Sequence, residues 1–205
     1  MSQTINDVYK EPSGVSESLF KDKGSKHFGY VYPVKSKEDI DRRLQELRKL
    51  HYASRHVCYA WTLGTTKIEH KWSDDGEPHN SAGPPIMGQI QSYGLHNTLI
   101  AVVRYFGGTK LGVSGLINAY KTAAKEAIEA GDIQELYLQK GLRLTFPYEL
   151  MSEVMRQTKQ SGIRILKQDF RETCQLEISI RLKYFEQVHQ ILTKLHRLNI
   201  EEIEL

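Results

Sequence analysis

Thr98–Ala130 reads TLIAVVRYFGGTKLGVSGLINAYKTAAKEAIEA. The first six residues, Thr98–Val103, are apolar nearly throughout and read as a core strand. From about Leu116 to Ala130 the apolar residues Ile117, Tyr120, Ala124, Ala127 and Ile128 recur at helical spacing, and Gly131 ends the run. A buried strand therefore feeds a long amphipathic helix through a short glycine-rich connection. That order calls for a helix packed on a sheet.

The connection, Arg104–Leu116 (RYFGGTKLGVSGL), carries the unusual chemistry. Gly107, Gly108, Gly112 and Gly115 fall within nine residues. Glycines in such a turn permit positive φ and let a ligand approach the backbone. The following helix points free N–H groups and the positive end of its dipole back at the turn. Arg104 and Lys110 add charge, so the segment suits an anion, a phosphate or a carboxylate. It lacks the GK[ST] ending of a P-loop and is not GxGxxG, so no nucleotide-binding fold is implied. The alternative is a tight turn whose glycines only relieve crowding.

Upstream, residues 1–14 read as a polar, weakly ordered lead-in. Phe28–Val34 has strand composition, with Pro33 marking an edge or an end. Ser36 offers a helix N-cap before Ile40, Leu44, Leu47 and Leu50 at helical spacing. His56–Leu63 reads as a buried strand, with Lys67–Trp72 returning beside it. After the loop Ser73–Pro85, a short helix carries Ile86, Met87, Ile90 and Tyr93, with Gly94 closing it. Downstream of Gly131 the pattern changes. Strand spacing over Tyr137–Tyr148, helix over Glu149–Gln160, strands over Gly162–Lys167 and Cys174–Leu182, helix over Tyr184–Leu198 and strand over Ile200–Leu205 spell β-α-β-β-α-β, the ferredoxin-like order. The fold class expected is α+β, in two domains: residues 1–136 with the glycine-rich segment, and 137–205.

Bulk properties narrow the function. The 205 residues are 40% hydrophobic and 26% charged, a soluble globular balance. No apolar run approaches the ~18 residues of a membrane span, and the N-terminus lacks signal-peptide character, so a cytoplasmic protein and no membrane partner are expected. Of the 28 basic and 25 acidic residues, 18 and 16 lie up to residue 140, leaving 10 and 9 after it. Neither part is a strongly basic nucleic-acid module. Cys58 and Cys174 sit far apart in strand-like runs, as reduced buried thiols would.

A second segment, Ser73–Pro85 (SDDGEPHNSAGPP), holds Asp74, Asp75 and Glu77, flanked by His70 and His79. Four readings stay open: a hard-metal or zinc site, a solvated acidic turn around Gly76, pairing with Arg104 or Lys110, and an acid/base role for one of the carboxylates. The spacing is too loose to assign a metal, and no cofactor is implied. No complete catalytic constellation is present, so Asp74, Asp75 and Glu77 are only the residues to which such a role would fall. His56 beside Cys58 reads as a packed strand histidine. Tyr105 and Phe106 suit either ring stacking or core anchoring. Trp61 and Trp72 read as packed residues. Few exposed aromatics are expected on the C-terminal strands, which argues against a base-stacking RNA surface there.

SDDGEPHNSAGPPI (Ser73–Ile86) followed by RYFGGTKLGVSGLINAY (Arg104–Tyr120) resembles the YigZ/IMPACT family, whose signature is a D-GEP-x-x-S/T-AG-x-P block and then V-x-RYFGG-x-K-LG-x-GL-x-x-AY. The resemblance covers residues 15–130 well. It departs at His79-Asn80, where other members often carry small residues. It implies an N-terminal domain like ribosomal protein S5 domain 2, and a C-terminal domain like the last domain of elongation factor G. Eukaryotic relatives act as translational regulators through an additional domain that has no counterpart in this sequence. For bacterial members it implies association with RNA, the ribosome or a translation factor. The expectation that follows is a translation-linked binding protein whose anion site is Arg104, Gly107, Gly108, Lys110, Gly112 and Gly115. The alternatives are an enzyme acting on a small phosphorylated or acidic substrate, and a purely structural salt-bridged seam.

Overall fold

The computed structural model describes residues 7–160, 162–171 and 173–205. Ten elements come first: β1 (Val8–Pro12), β2 (Ser16–Asp22), β3 (Ser25–Pro33), α1 (Lys37–Leu50), β4 (His56–Leu63), β5 (Glu69–Ser73), α2 (Gly83–Ser92), β6 (Thr98–Tyr105), α3 (Gly112–Glu129) and β7 (Ile133–Tyr137). After them come β8 (Gln139–Phe146), a 3-10 turn at Tyr148–Leu150, α4 (Met151–Thr158), β9 (Ile163–Phe170), β10 (Cys174–Arg181), α5 (Leu182–Leu192) and β11 (Asn199–Ile203). The class is mixed α+β with antiparallel sheets. Two compact units divide the described chain: Tyr9–Leu136, and Tyr137–Leu205 together with Asp7 and Val8. Among the described residues no helix is long and apolar enough to cross a membrane.

In the first unit, five strands form one antiparallel sheet in the order β2-β3-β6-β4-β5. The strand β6 is central because it is apolar on both faces. Leu99, Ala101 and Val103 join Ile40 and Leu47 of α1 in one core, while Ile100 and Val102 join Ile86, Ile90, Tyr120 and Ala124 of α2 and α3 in the other. The sheet is thus clad on both faces. Helix α1 starts where the sequence places its cap, with Ser36 Oγ accepting from Asp39 N at 3.2 Å.

Several boundaries differ from the sequence reading. The lead-in contains β1, which pairs with β7; the buried Glu11 carboxylate holds it, accepting from Lys35 Nζ at 2.9 Å and Asn97 Nδ2 at 3.1 Å. Residues 1–6 of that lead-in lie outside the described residues. The hairpin β2–β3 turns at Lys23-Gly24, both at positive φ, and β2 has no counterpart in the sequence reading. Helix α3 begins at Gly112, about a turn earlier than its apolar pattern, because its first residues face the solvent and an open groove. Helix α5 ends at Leu192, not Leu198. Trp61 is buried, but Trp72 is 43% exposed on the edge strand β5, stacked on His70.

The second unit runs β-α-β-β-α-β, with an antiparallel sheet ordered β11-β8-β10-β9. Alternating residues of β8 and β10 (Leu142, Leu144, Phe146; Leu176, Ile178, Ile180) bury one sheet face against Val154 of α4 and Phe185, Val188 and Leu192 of α5. Asp7 belongs to this unit. Its carboxylate accepts from Arg181 Nε at 2.7 Å, Arg181 Nη2 at 2.8 Å and Lys183 N at 3.0 Å. The Arg181 contact, outweighing burial, holds its pKa down at about 2. Both cysteines are buried and unbridged.

Candidate functional site

The site grows from one register row. His27 on β3, Arg104 on β6 and His56 on β4 are direct cross-strand neighbours. Two-residue periodicity places Arg104 on the same face as Val102, and His56 on the same face as Cys58, the face that α2 and α3 cover. A charged residue at the end of so apolar a strand needs a partner, and the acidic loop supplies it. Arg104 Nη1 donates to Glu77 Oε1 at 2.6 Å, with side-chain exposures of 8% and 4%. Tyr120 of α3 donates its hydroxyl to the same oxygen at 2.8 Å. Of the readings open for the acidic block, pairing with Arg104 is the one the geometry shows for Glu77.

Beside this clamp sits His27, fully buried, its ring edge-on to Tyr120 with centroids 5.3 Å apart. Among the described residues neither ring nitrogen has a hydrogen-bond partner, and Arg104 Nε is likewise unpartnered. Burial first, and the Arg104 charge second, push the histidine down to about 4. It is therefore neutral at pH 7. Burial pushes the Cys58 thiol well above its usual value, and its Sγ contacts the Asp74 carbonyl oxygen at 2.9 Å. A thiol so placed is not a nucleophile.

Asp74 and Asp75 turn towards the backbone. Asp74 Oδ1 accepts from Ala82 N at 2.9 Å and Gly83 N at 2.8 Å, and Oδ2 from Asn80 N at 2.9 Å. It thereby caps α2, whose own N-cap position, Ala82, has no side chain to do so. Burial alone would raise the Asp74 pKa, but these three donors outweigh it and the net shift is downward. Asp75, at φ 42°, accepts from Val57 N at 2.7 Å and from Arg48 Nη2 at 2.9 Å. Its carbonyl oxygen accepts from His56 Nδ1 at 2.8 Å. The acidic block is thus a brace between β4, α1 and α2, with Glu77 reaching inward.

The glycines divide by task. A Cβ on Gly107 would lie 1.9 Å from the carbonyl carbon of Gly24, so the loop is seated directly on the β2–β3 turn, where Gly107 N also donates to Ser25 Oγ at 3.1 Å. Gly112, at φ +75°, has open space around its Cβ direction and starts α3, whose N-terminus has no side-chain cap. Gly108 lies between them in the loop and Gly115 within the first turn of α3.

Next to this turn opens a groove of about 760 Å³. Arg104, Lys110, Gly112 and Glu77 line it, as do Arg55 of the α1–β4 connection and His56 at the start of β4. Among the described residues neither Arg55 nor Lys110 forms an ion pair, and both are exposed. Asp74, Asp75, Gly107, Gly108 and Gly115 do not line it. Sequence reasoning missed His27, Arg55 and Tyr120. For His27 a signal existed: counting back in twos from the inward Val31 leads to it.

The sequence pattern of the Impact N-terminal domain matches residues 23–128. IMPACT family member YvyE of Bacillus subtilis is 26% identical over 171 residues, 83% of this chain and 79% of that one. IMPACT family member YigZ of Escherichia coli is 28% identical over 139 residues, 67% of this chain and 68% of that one. A crystal structure of a hypothetical protein superposes with a TM-score of 0.68 at 23% identity, covering 98% of this chain and 99% of the other, a likeness of fold.

Proposed function

The chain belongs to the IMPACT family, and on that premise we propose that it is a translation-linked binding protein that recognises phosphate at the groove beside α3. One observation carries the reading. Two unpaired cations, Arg55 and Lys110, converge with the side-chain-uncapped N-terminus of an 18-residue helix on a single groove. Free N–H groups and the helix dipole favour an anion there. Arg104 lines the same groove, but its charge is balanced by Glu77, so it shapes the floor. The translation link comes from the family resemblance, whose eukaryotic members are translational regulators. In this reading RNA or a ribosomal partner presents the phosphate. Residues up to 136 form the S5-domain-2-like unit that reads it, and 137–205 are a ferredoxin-like docking module like the last domain of elongation factor G.

Binding is favoured over catalysis because the acidic residues are already engaged. Asp74 and Asp75 hold backbone N–H groups, and Glu77 holds Arg104 and Tyr120. The test is a titration of the full chain against ribosomal subunits and tRNA at about 50 to 200 mM salt. Replacing Lys110 and Arg55 together by Gln should weaken binding roughly 10-fold. It should also flatten the slope of log affinity against log salt by about 1.5, at ~0.7 per single-strand phosphate contact. Unchanged affinity and slope would remove the site from the function.

A further inference from the structure

A phosphate uses only the cations and amides of the groove, yet the same groove has a second, apolar wall. Phe106, Leu111, Val113 and Leu116 line it. Phe106 is 59% exposed and Val113 55%, although both sit within a few residues of Lys110. The Arg104 guanidinium lies 5.7 Å from the Phe106 ring centroid, so the ring is held beside a charged group while more than half of it remains open. A volume of about 760 Å³ is far more than an oxyanion occupies. It falls inside the roughly 300–1,000 Å³ range of sites that enclose a whole small molecule.

Resting on the anion reading above, we infer that the ligand is a 5′-phosphorylated nucleoside: its base stacks on Phe106 and its phosphate is held by Lys110, Arg55 and the first N–H groups of α3. Two features favour a nucleotide over a peptide carboxylate. Two unpaired cations plus helix amides match the double charge of a phosphomonoester better than the single charge of a carboxylate. An exposed ring offers a π-face, and every base has one to meet it. Bases inside a duplex have both faces covered, so the nucleoside must be free or at the end of a single strand. Sequence preference would be weak, because stacking tolerates any base.

The experiment titrates the full chain with inorganic phosphate, adenosine, adenosine 5′-monophosphate, and a tetra-adenylate with or without its 5′-phosphate. The monophosphate should bind at least about 10-fold tighter than either phosphate or adenosine alone. Phe106→Leu should weaken it roughly 5- to 100-fold, the usual span for one stacked base, and leave the phosphate affinity unchanged. Phe106→Trp should retain affinity, and its fluorescence should be quenched by the monophosphate and not by phosphate. A phosphorylated tetramer binding tighter than the monophosphate assigns the ligand to a strand end, and equal binding assigns it to a free nucleotide. If phosphate binds, the monophosphate binds no tighter and Phe106→Leu is silent, this inference is overturned while the anion site stands. If no probe binds, phosphate included, the anion site itself is overturned. Displacement of phosphate by an acidic peptide, with no response to nucleotides, also overturns the inference.

Discussion

Replacing His27 by phenylalanine removes a group whose protonation the fold opposes. The imidazole is fully buried against Phe20 and Tyr120, and neither nitrogen has a partner among the described residues. Burial and the Arg104 charge lower its pKa, against the weaker pull of Glu77 and Asp22, from 6.5 to about 4. The unfolded chain therefore takes up this proton before the folded one does. The contribution to stability is fully present above pH 6.5 and is lost as the pH falls towards 4. Integrating the two titrations to pH 4.5 gives a loss of about 2.5 kcal/mol, at ~1.36 kcal/mol per pKa unit. Carboxylates with lowered pKa values, Asp7, Asp74 and Glu153 among them, are the same in both proteins, so their loss on acidification cancels in the comparison. The assay is urea unfolding followed by tryptophan fluorescence at pH 7.5 and 4.5. Any cost of fitting the phenylalanine ring is equal at both pH values, so the difference between them isolates the titration. The wild type should lose about 2.5 kcal/mol more than His27→Phe. Equal losses in both proteins would refute the account of a partnerless buried imidazole.

The Glu77–Arg104 clamp predicts that Glu77→Gln destabilises the protein by about 3–5 kcal/mol at neutral pH, because it leaves a buried guanidinium uncompensated; an unfolding free energy from urea titration within ~1 kcal/mol of wild type would contradict this. Gly107→Ala drives a methyl group into the Gly24 backbone, 1.9 Å from its carbonyl carbon, where no flexible side chain can yield. It should cost at least about 1–3 kcal/mol and lower phosphate affinity, whereas Gly14→Ala, with nothing within 4 Å, should leave the thermal midpoint nearly unchanged. Equal midpoints for the two variants would show that the loop is not seated on the hairpin turn.

The elements legible in the sequence are those whose burial is periodic over many residues. Helix α1 shows both its Ser36 cap and its apolar stripe, and β6 shows an unbroken apolar run. The strand β2 is half-exposed along its length, and β7 almost wholly exposed, so neither carries a strong pattern. The Lys23-Gly24 pair was the local signal for the first of them. The site was legible as two segments but not as one object. Arg104 and Glu77 lie 27 residues apart in sequence, and His27 is 77 residues from Arg104; strand register joins the second pair and the reach of the loop side chain the first. The roles of Asp74 and Asp75 are invisible locally, because their partners are main-chain groups of α2 and β4 and, for Asp75, the distant Arg48 of α1.

The buried Asp7 has a consequence for how the chain is made. Its partner Arg181 follows 174 residues later, and the whole of Tyr9–Leu136 is translated in between. The unit that emerges complete can close its core during synthesis. The other cannot, since Asp7 is made before that unit and the strands β8 to β11 after it. Until β10 arrives, Asp7 is a solvated carboxylate with its usual affinity for protons. Any nascent chain that stops before Arg181 carries a finished first unit and an unlatched second one, so the Asp7–Arg181 pair forms only after β10 has been made.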